Sequence, residues 1–234
     1  KKVSRKGLRT VMFLYPEENK LRAERRLRGS EQVRKLKKAD VVVVSFGKSG
    51  RTWLRVMLSR VYQQMYDLPQ RALIGFDNFH SMNAEIPKIF FTHDNYVKDY
   101  TGNTDSKADF YEKKVVLLAR DPRDVAVSQF FQWKYRMKPG KKTLNKCPED
   151  GADVSVFDFV MDEDAGLPNI IRFLNLWSSE SGRLESFFLL RYEDLRAQPE
   201  ETLRKLLDFM KTPATDEQIR DAVEFSSYEN MKKM

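Results

Sequence analysis

The chain has 234 residues, a formal charge of +8 and a hydrophobic fraction of 41%. That length and composition fit one sizeable α/β domain with a full core and leave little room for a second domain. We expect neither a membrane span nor a secretory signal, because no apolar run has the length that either requires. With one cysteine, Cys147, and two histidines, we expect no internal disulfide framework and no zinc site.

The positive charge is concentrated at the start of the chain. Residues 1–38 contain fourteen Lys or Arg and four Glu, a net charge of +10, while the remainder carries about −2. A basic leader favours contact with an anionic surface, either phospholipid or acidic glycan. The pattern over residues 22–38 favours a solvated charged helix packed by a few apolar residues more strongly than such a contact. We therefore expect a basic extension, 1–38, packed on a domain of residues 39–234. The protein would be cytoplasmic, with a peripheral membrane contact left open.

The apolar pattern along the chain predicts strands that alternate with helices. Residues 8–15 could form a short strand or a packed extension. The further predicted strands lie at 41–44, within 88–94, at 115–119 and at 187–190; the predicted helices are 17–37, 52–65, 121–135, 157–161, 168–177, 199–210 and 216–223. This alternation predicts a doubly wound, mostly parallel sheet flanked by helices.

Two segments have the composition of loops. Residues 138–153 are rich in proline, glycine and lysine, so we expect a mobile loop there. Residues 68–87 could be a functional loop near the site, or an irregular surface segment with aromatic residues packed beneath it.

The turn after the strand at 41–44 has the features of an anion site. Gly47 to Gly50 supply two glycines and a lysine immediately before a helix that starts near Thr52. Free N–H groups at a helix start and close backbone approach suit a phosphate. The Walker A pattern needs a glycine five residues before its Gly-Lys pair, and Val42 occupies that place. The loop is therefore shorter than a Walker A loop.

A polar side chain follows each of the four strands predicted from residue 41 onward. Lys48, His93, Arg120 and Tyr192 come where those strands end. In doubly wound sheets ligands bind beyond the carboxyl ends of the strands, so we expect these four side chains to converge. Taken singly, His93 could be a structural histidine and Arg120 an ion-pair partner.

The loop resembles the first nucleotide-binding motif of cytosolic-type sulfotransferases, commonly P-K-S-G-T-T-W, with Gly47 in place of the proline and Arg51 in place of the first threonine. Other motifs of that family follow in order: Thr92-His93, Arg120 to Ser128 (R-x-P-x-D-V-x-V-S), Tyr192 to Leu195 (Y-E-D-L) and Ser227 to Lys233 (similar to S-F-x-x-M-K-K). Together they cover most of residues 41–234.

This resemblance implies a P-loop-like sulfotransferase fold, the cofactor 3′-phosphoadenosine 5′-phosphosulfate (PAPS), no metal, and sulfuryl transfer to a hydroxyl or amine. Such transfer depends on positioning and on charge stabilisation at the leaving oxygen. The implied catalytic residues are His93 as base and Lys48; the implied cofactor-binding residues are Lys48, Ser49, Gly50, Arg51, Thr52, Trp53, Arg120, Ser128, Tyr192, Ser226 and Tyr228. Trp53 could instead be a core residue and Tyr228 a helix-cap aromatic.

The departures from the family pattern leave questions open. Arg51 either adds a contact to the phosphosulfate or turns toward an acidic acceptor. The family usually has a basic, glycine-containing segment and a dimerisation segment beyond the last motif. The sequence ends at Met234, so we expect neither within it and leave the oligomeric state open.

The acceptor is not determined by the sequence. An apolar pocket for a phenol, steroid-like alcohol or lipid could be walled by segments 68–87 and 136–153 and by aromatic residues, namely Phe76, Phe79, Phe90, Phe91, Trp133 and Tyr135. The basic leader and Arg51 could equally favour a glycan or lipid head group. If His93 is not the base, Glu85 is the next candidate.

Two different classes of function compete with the sulfotransferase. A P-loop Mg-nucleotide hydrolase or kinase would need a carboxylate for the metal, and Asp121 is the candidate after the strand at 115–119. A non-catalytic binder of an anionic surface or nucleic acid would use the basic leader. Since aromatic residues are not interleaved with its charges, we expect no nucleic-acid partner.

Overall fold

The computed structural model describes residues 16–233, and the predicted element at residues 8–15 lies outside them. Its centre is a four-stranded sheet of β1 (Val41–Ser45), β2 (Ile89–Thr92), β3 (Lys114–Ala119) and β4 (Ser186–Arg191), in the order β2-β1-β3-β4. All three neighbouring pairs are parallel. The predicted doubly wound parallel sheet is confirmed.

Helices cover this sheet. They are α1 (Glu17–Lys38), α2 (Arg51–Met65), α3 (Val97–Thr101), α4 (Pro122–Tyr135), α5 (Pro139–Leu144), α6 (Val156–Met161), α7 (Leu167–Glu180), α8 (Tyr192–Ala197), α9 (Pro199–Met210), α10 (Asp216–Phe225) and α11 (Tyr228–Lys233). Short 3₁₀ turns precede β3 and β4. Within residues 16–233, no helix combines the length and apolar character needed to cross a bilayer.

The valines of β1 explain why the sheet has helices on both faces. Val41 and Val43 pack in a core cluster with residues of α2, α9 and α10. Val42 and Val44 pack in a second cluster with residues of α1, α3 and α7. Each of the four is at most 2% exposed. Full burial of one such side chain stabilises the fold by about 1.5–3 kcal/mol, so this strand is fixed between two helical layers.

Strand order places a crevice at one edge of the sheet. The chain goes from β1 to β2 on one side and then to β3 on the other side of β1. Loops that leave the carboxyl ends of β1 and β3 therefore diverge, which is the switch point where open α/β sheets bind ligands. The predicted start of α4 is also confirmed, because Asp121 caps the helix with Pro122 in its first turn.

The two segments with loop composition differ from each other. Residues 68–87 are irregular, but Ile74, Phe79 and Ile86 are buried beside α2. Of the two interpretations, the surface segment with packed aromatic residues is therefore correct. The expectation of a loop throughout 138–153 was wrong, because α5 begins at Pro139 and Lys142 is buried with its ammonium 2.7 Å from Asp150. A proline at the first helical position suits a helix start.

The basic helix α1 packs closely against the rest of the chain. The Arg25 guanidinium donates to Leu144 O at 2.6 Å and to Asn95 O at 3.1 Å, and lies 3.0 Å from the Asp99 carboxylate. A Cβ on Gly29 would lie 2.3 Å from the carbonyl oxygen of Tyr96, so only glycine permits this approach. The boundary between an extension and a domain at residues 38 and 39 stays a prediction.

Trp133 belongs to the core, contrary to its expected place in an acceptor pocket. It is 1% exposed, its ring lies 5.2 Å from the ring of Phe159, and its Nε1 donates to Pro148 O at 2.9 Å.

We expect Trp133→Ala to lower the free energy of unfolding by about 3–5 kcal/mol in urea titrations, because it leaves a large cavity. Tyr135→Ala is the control, since Tyr135 is 69% exposed and should change stability by about 0.5 kcal/mol or less. Equal small effects of both substitutions would contradict this assignment.

Candidate functional site

The carboxyl edge of the sheet opens into a cleft of about 2080 Å³. The predicted site residues that line it are Lys48, Gly50, Arg51, Thr52, Trp53, His93, Arg120, Ser128, Tyr192, Ser226 and Tyr228. The structure thus brings them together from four strand ends, from α2 and α4, and from the segment where α10 ends and α11 begins. Ser49 is the exception, since its side chain is 2% exposed and does not line the cleft.

The turn between β1 and α2 forms a cradle of backbone groups. Lys48 and Gly50 both have left-handed backbone conformations, with φ of 70° and 92°. A Cβ on Gly50 would lie 2.6 Å from Cδ2 of Tyr192, so glycine is required there for space as well as for conformation. In α2, Leu54 N–H is bonded to Gly50 O at 3.1 Å. The N–H groups of the preceding first turn have no carbonyl within the helix to bond, which suits an anion.

Lys48 lies among other cations. Its Nζ is 3.4 Å from Oε1 of Gln132. Burial, followed by the charges of Arg136 and Arg120, lowers the pKa of Lys48 below its usual range. The field at this ammonium group is therefore strongly positive, and a negatively charged ligand would be stabilised beside it.

Arg120 joins the ends of β1 and β3. Its Nη1 donates to Lys48 O at 3.2 Å, and its guanidinium carbon lies 4.5 Å from the centre of the Tyr192 ring. Its ion pair is with Asp124, at 3.1 Å, rather than with Asp121 or Glu193. The Nε atom is buried and has no hydrogen-bond partner among the described residues. Arg120 therefore has a donor left for a ligand.

The aromatic residues form the other end of the cleft. The rings of Trp53 and Tyr192 meet edge to face at 5.7 Å, and Trp53 Nε1 donates to Ser226 O at 2.8 Å. Ser226 is fully buried, whereas Tyr228 is 76% exposed at the start of α11. Trp53 is thus both a cleft wall and the connection between α2 and the C-terminal helices.

His93 and Arg51 are hydrogen-bonded to each other. His93 Nδ1 lies 2.8 Å from Ser45 O, which places its proton on Nδ1, and Nε2 then accepts from Arg51 Nη2 at 2.6 Å. Burial and, second, the Arg51 charge lower the pKa of His93 to about 4. Burial and the neighbouring Arg55 lower the pKa of Arg51 to about 10. His93 is therefore neutral near pH 7, with its free electron pair directed at a guanidinium.

Three residues on α4 and at its C-terminal cap were missed by the sequence reasoning. Gln129 lies against Gly47, Gln132 lies at Lys48, and Arg136 is a further cation of the cleft. Gln132 and Arg136 follow Ser128 at intervals of four residues, so they share its helix face. That spacing could have identified both residues once Ser128 was placed at the site.

The expected acceptor walls are only partly present. Residues of 136–146 line the cleft, but none of 68–87 does, and none of the six aromatic residues proposed as walls does. Glu85, the second candidate for the base, lies against Tyr66 and does not line the cleft, so its position does not suit that role. The Asp121 carboxylate bonds the backbone N–H and the guanidinium of Arg123, at 2.6–3.0 Å. It therefore serves the helix start.

A doubly wound parallel sheet with a lysine-bearing anion cradle at its switch point defines an α/β protein of the nucleotide-binding type. The model of the family described as "Sulfotransferase domain" matches residues 38–234. The chain belongs to this family.

Named relatives agree with that assignment. Cytosolic sulfotransferase 15 of Arabidopsis thaliana is 28% identical over 219 residues, covering 83% of this chain and 59% of the relative. Sulfotransferase 2A6 of Rattus norvegicus is 26% identical over 212 residues, covering 85% of this chain and 68% of the relative.

A solved structure agrees on the fold. The mouse sulfotransferase SULT7A1 complexed with PAP superposes with a TM-score of 0.53 at 16% identity, over 84% of this chain and 66% of that one. At such identity the likeness concerns the fold alone. The chain spans 59% of the length of the Arabidopsis relative.

The lowered pKa of His93 predicts how stability depends on pH. Its pKa is about 4 when folded, against a usual 6.5, so the unfolded chain binds more protons between these values. Stability should therefore fall as pH is lowered from 7.5 to 5, by about 2 kcal/mol more in the wild-type protein than in His93→Gln. Urea titrations of both proteins at several pH values measure this, and identical pH dependence in the two would contradict it.

Proposed function

We propose that this chain is a sulfotransferase that transfers the sulfuryl group of PAPS to the hydroxyl, or amine, of an acceptor. The observation that carries the proposal is the convergence of Lys48, His93 and Arg120, which reach one cleft from three separate strand ends. The order of the motifs and the family assignment support it. The relatives named as sulfotransferases support it as well.

The cleft residues fit such a cofactor. Arg120 has an unused buried Nε, and Ser128 lines the same cleft from α4, the helix that follows Arg120, so both suit the 3′-phosphate. Lys48 and the first-turn N–H groups suit the phosphosulfate. The adenine would lie against Trp53 and Tyr228, near Tyr192. When bound, PAPS supplies an activated sulfuryl group, and no metal is required.

The residues of this chain then have separate tasks. His93 Nε2 accepts the proton of the acceptor hydroxyl as its oxygen forms a bond to sulfur. Lys48 would lie beside the phosphate that the cofactor keeps as its leaving group, where its ammonium would offset the negative charge left when the sulfuryl group is transferred. The products are the sulfated acceptor and adenosine 3′,5′-bisphosphate (PAP). Since Arg51 occupies Nε2 in the structure described, the histidine can act only after that hydrogen bond breaks.

The proposal extends to the cell and the chain's organisation. The name of the Arabidopsis relative supports a cytoplasmic location. Contacts of α1 with α3 and α5 support an N-terminal extension packed on the catalytic domain. A contact of residues 1–38 with an anionic membrane stays a prediction.

Calorimetric titration tests the cofactor. We expect PAP to bind more tightly than ATP, with or without Mg²⁺. Ser128→Ala should weaken PAP binding about 5- to 10-fold, since it removes one hydrogen bond worth about 1 kcal/mol, and should leave adenosine 5′-monophosphate binding unchanged. Preference for Mg-ATP would support the kinase alternative and reject the proposal.

His93→Ala tests the base. We expect turnover to fall at least about 100-fold, because no other group in the proposal takes the acceptor proton. Affinity for PAP should stay nearly unchanged. His80→Gln is the matched control, because His80 lies outside the cleft. Activity retained by His93→Ala would remove the base role from this residue.

A further inference from the structure

The cleft carries more positive charge than its cofactor needs. Thirteen lysines and arginines line it, against three aspartates. A nucleotide with a phosphosulfate and a phosphomonoester carries about four negative charges. Five of these cations have carboxylate partners, namely Arg25, Lys107, Arg120, Lys146 and Arg172. The other eight still exceed the charge of the cofactor, so the cleft as a whole keeps an excess of cations.

Much of the excess lies on the segment that follows α4. Arg136, Lys138 and Lys141 line the cleft, and in the described part of the chain none of them has a carboxylate within salt-bridge distance. Other cleft cations are already neutralised, as Lys107 is by Asp94 at 2.6 Å. The segment from Arg136 to Lys141 is thus a positive wall of the cleft, and its Lys141 also lines the smaller cavity that His93 shares.

Arg51 is a buried cation of this cleft whose guanidinium is only partly hydrogen-bonded. Its Nη2 bonds His93, but its Nη1 is buried and has no hydrogen-bond partner among the described residues. Arg51 also lines a second, adjoining cavity of about 240 Å³, together with Arg28 and Lys141 and without any carboxylate. A buried charge without a counterion is costly, so this guanidinium is positioned for an anion that the chain itself does not supply.

The remaining walls combine polar side chains with an apolar patch that includes Phe46, Phe173 and Leu176. Six side-chain amides line the cleft: Asn95, Gln129, Gln132, Asn145, Asn169 and Asn175. Amides offer both donors and acceptors, which suits a ligand with many hydroxyl groups. None of the six aromatic residues expected as walls for a steroid or phenol lines this cleft.

We infer that the acceptor is an acidic, hydroxyl-rich molecule of the uronic acid type, whose carboxylate binds Arg51 beside His93. This inference rests on the proposed sulfotransferase function. A guanidinium and a carboxylate form paired charge-assisted hydrogen bonds, which are stronger than the bond from Arg51 to a neutral imidazole. Binding of the acid would therefore draw Arg51 away from Nε2 and free that atom for the acceptor hydroxyl. The same group would select the substrate and release the base.

Nuclear magnetic resonance of the histidine rings tests this directly. The chain has two histidines, so a spectrum of His80→Gln assigns the His93 signal. We would titrate pH on the full chain saturated with PAP, adding methyl β-D-glucuronide or its uncharged counterpart methyl β-D-glucoside. The glucuronide should raise the pKa of His93 by about 1, because it offsets the Arg51 charge, and the glucoside should not. In kcat/KM for sulfation, the glucuronide should exceed the glucoside at least about 10-fold.

Variants identify the group that responds. Arg51→Met should abolish the glucuronide effect on His93, and Lys141→Met should reduce it. Arg204→Met is the control for total charge, because Arg204 pairs with Asp216 outside the cleft; it should respond as the wild type does.

Other outcomes would reject either the acidic acceptor or the proposed sulfotransferase function. If PAP binds but neither sugar shifts His93, or if both sugars shift it equally, the acidic acceptor is wrong and the sulfotransferase stands. Loss of PAP binding in Arg51→Met would assign the guanidinium to the phosphosulfate and reject its acceptor role. Absence of PAP binding to the wild type would reject the proposed function itself.

Discussion

The burial of β1 on both faces is the constraint on which the site depends. Val41 to Val44 are enclosed by helices on both faces, which fixes β1 in the middle of the sheet. Because β1 is parallel and in register with β2 and β3, the three strands end at the same edge. Ser45, the last residue of β1, is fully buried, and its carbonyl oxygen holds Nδ1 of His93 at the end of β2. Two loops, 48 residues apart in sequence, are thus fixed to each other by the packing of a single strand.

The fold and the membership of the cleft could be predicted because they follow local rules. Valine runs, helix caps and motif spacing are properties of short stretches, and they placed Lys48, His93 and Arg120 correctly at one edge. Side-chain direction within a helix was harder to predict. Gln132 lines the cleft while its neighbour Trp133 is in the core, since adjacent helical residues point about 100° apart. The aromatic character of Trp133 had suggested that it lines an acceptor pocket.

The hydrogen bond from Arg51 to His93 could not be predicted, because it joins residues 42 positions apart. Sequence reasoning gave Arg51 two external partners, an acceptor and a phosphosulfate, and did not consider a third partner within the protein. The short helix α5 was missed for a related reason: six residues with proline and glycine have little intrinsic helix preference. Its place is stabilised by Arg25 of α1, which bonds the carbonyl oxygen of its last residue, Leu144.

The contact between Arg25 and Leu144 changes the interpretation of the positive charge in the N-terminal segment. If the charges of α1 served only an external anionic surface, they would point to solvent. Arg25 instead bonds backbone carbonyls near α3 and α5 and lines the cleft, and Arg28 lines the smaller cavity beside Arg51. Both have carboxylate neighbours in Asp99 and Glu24. These two arginines therefore belong to the walls of the cleft and of the smaller cavity beside His93. Part of the positive charge of α1 is thus explained by contacts within the protein, because Arg25 holds α3 and α5 in place.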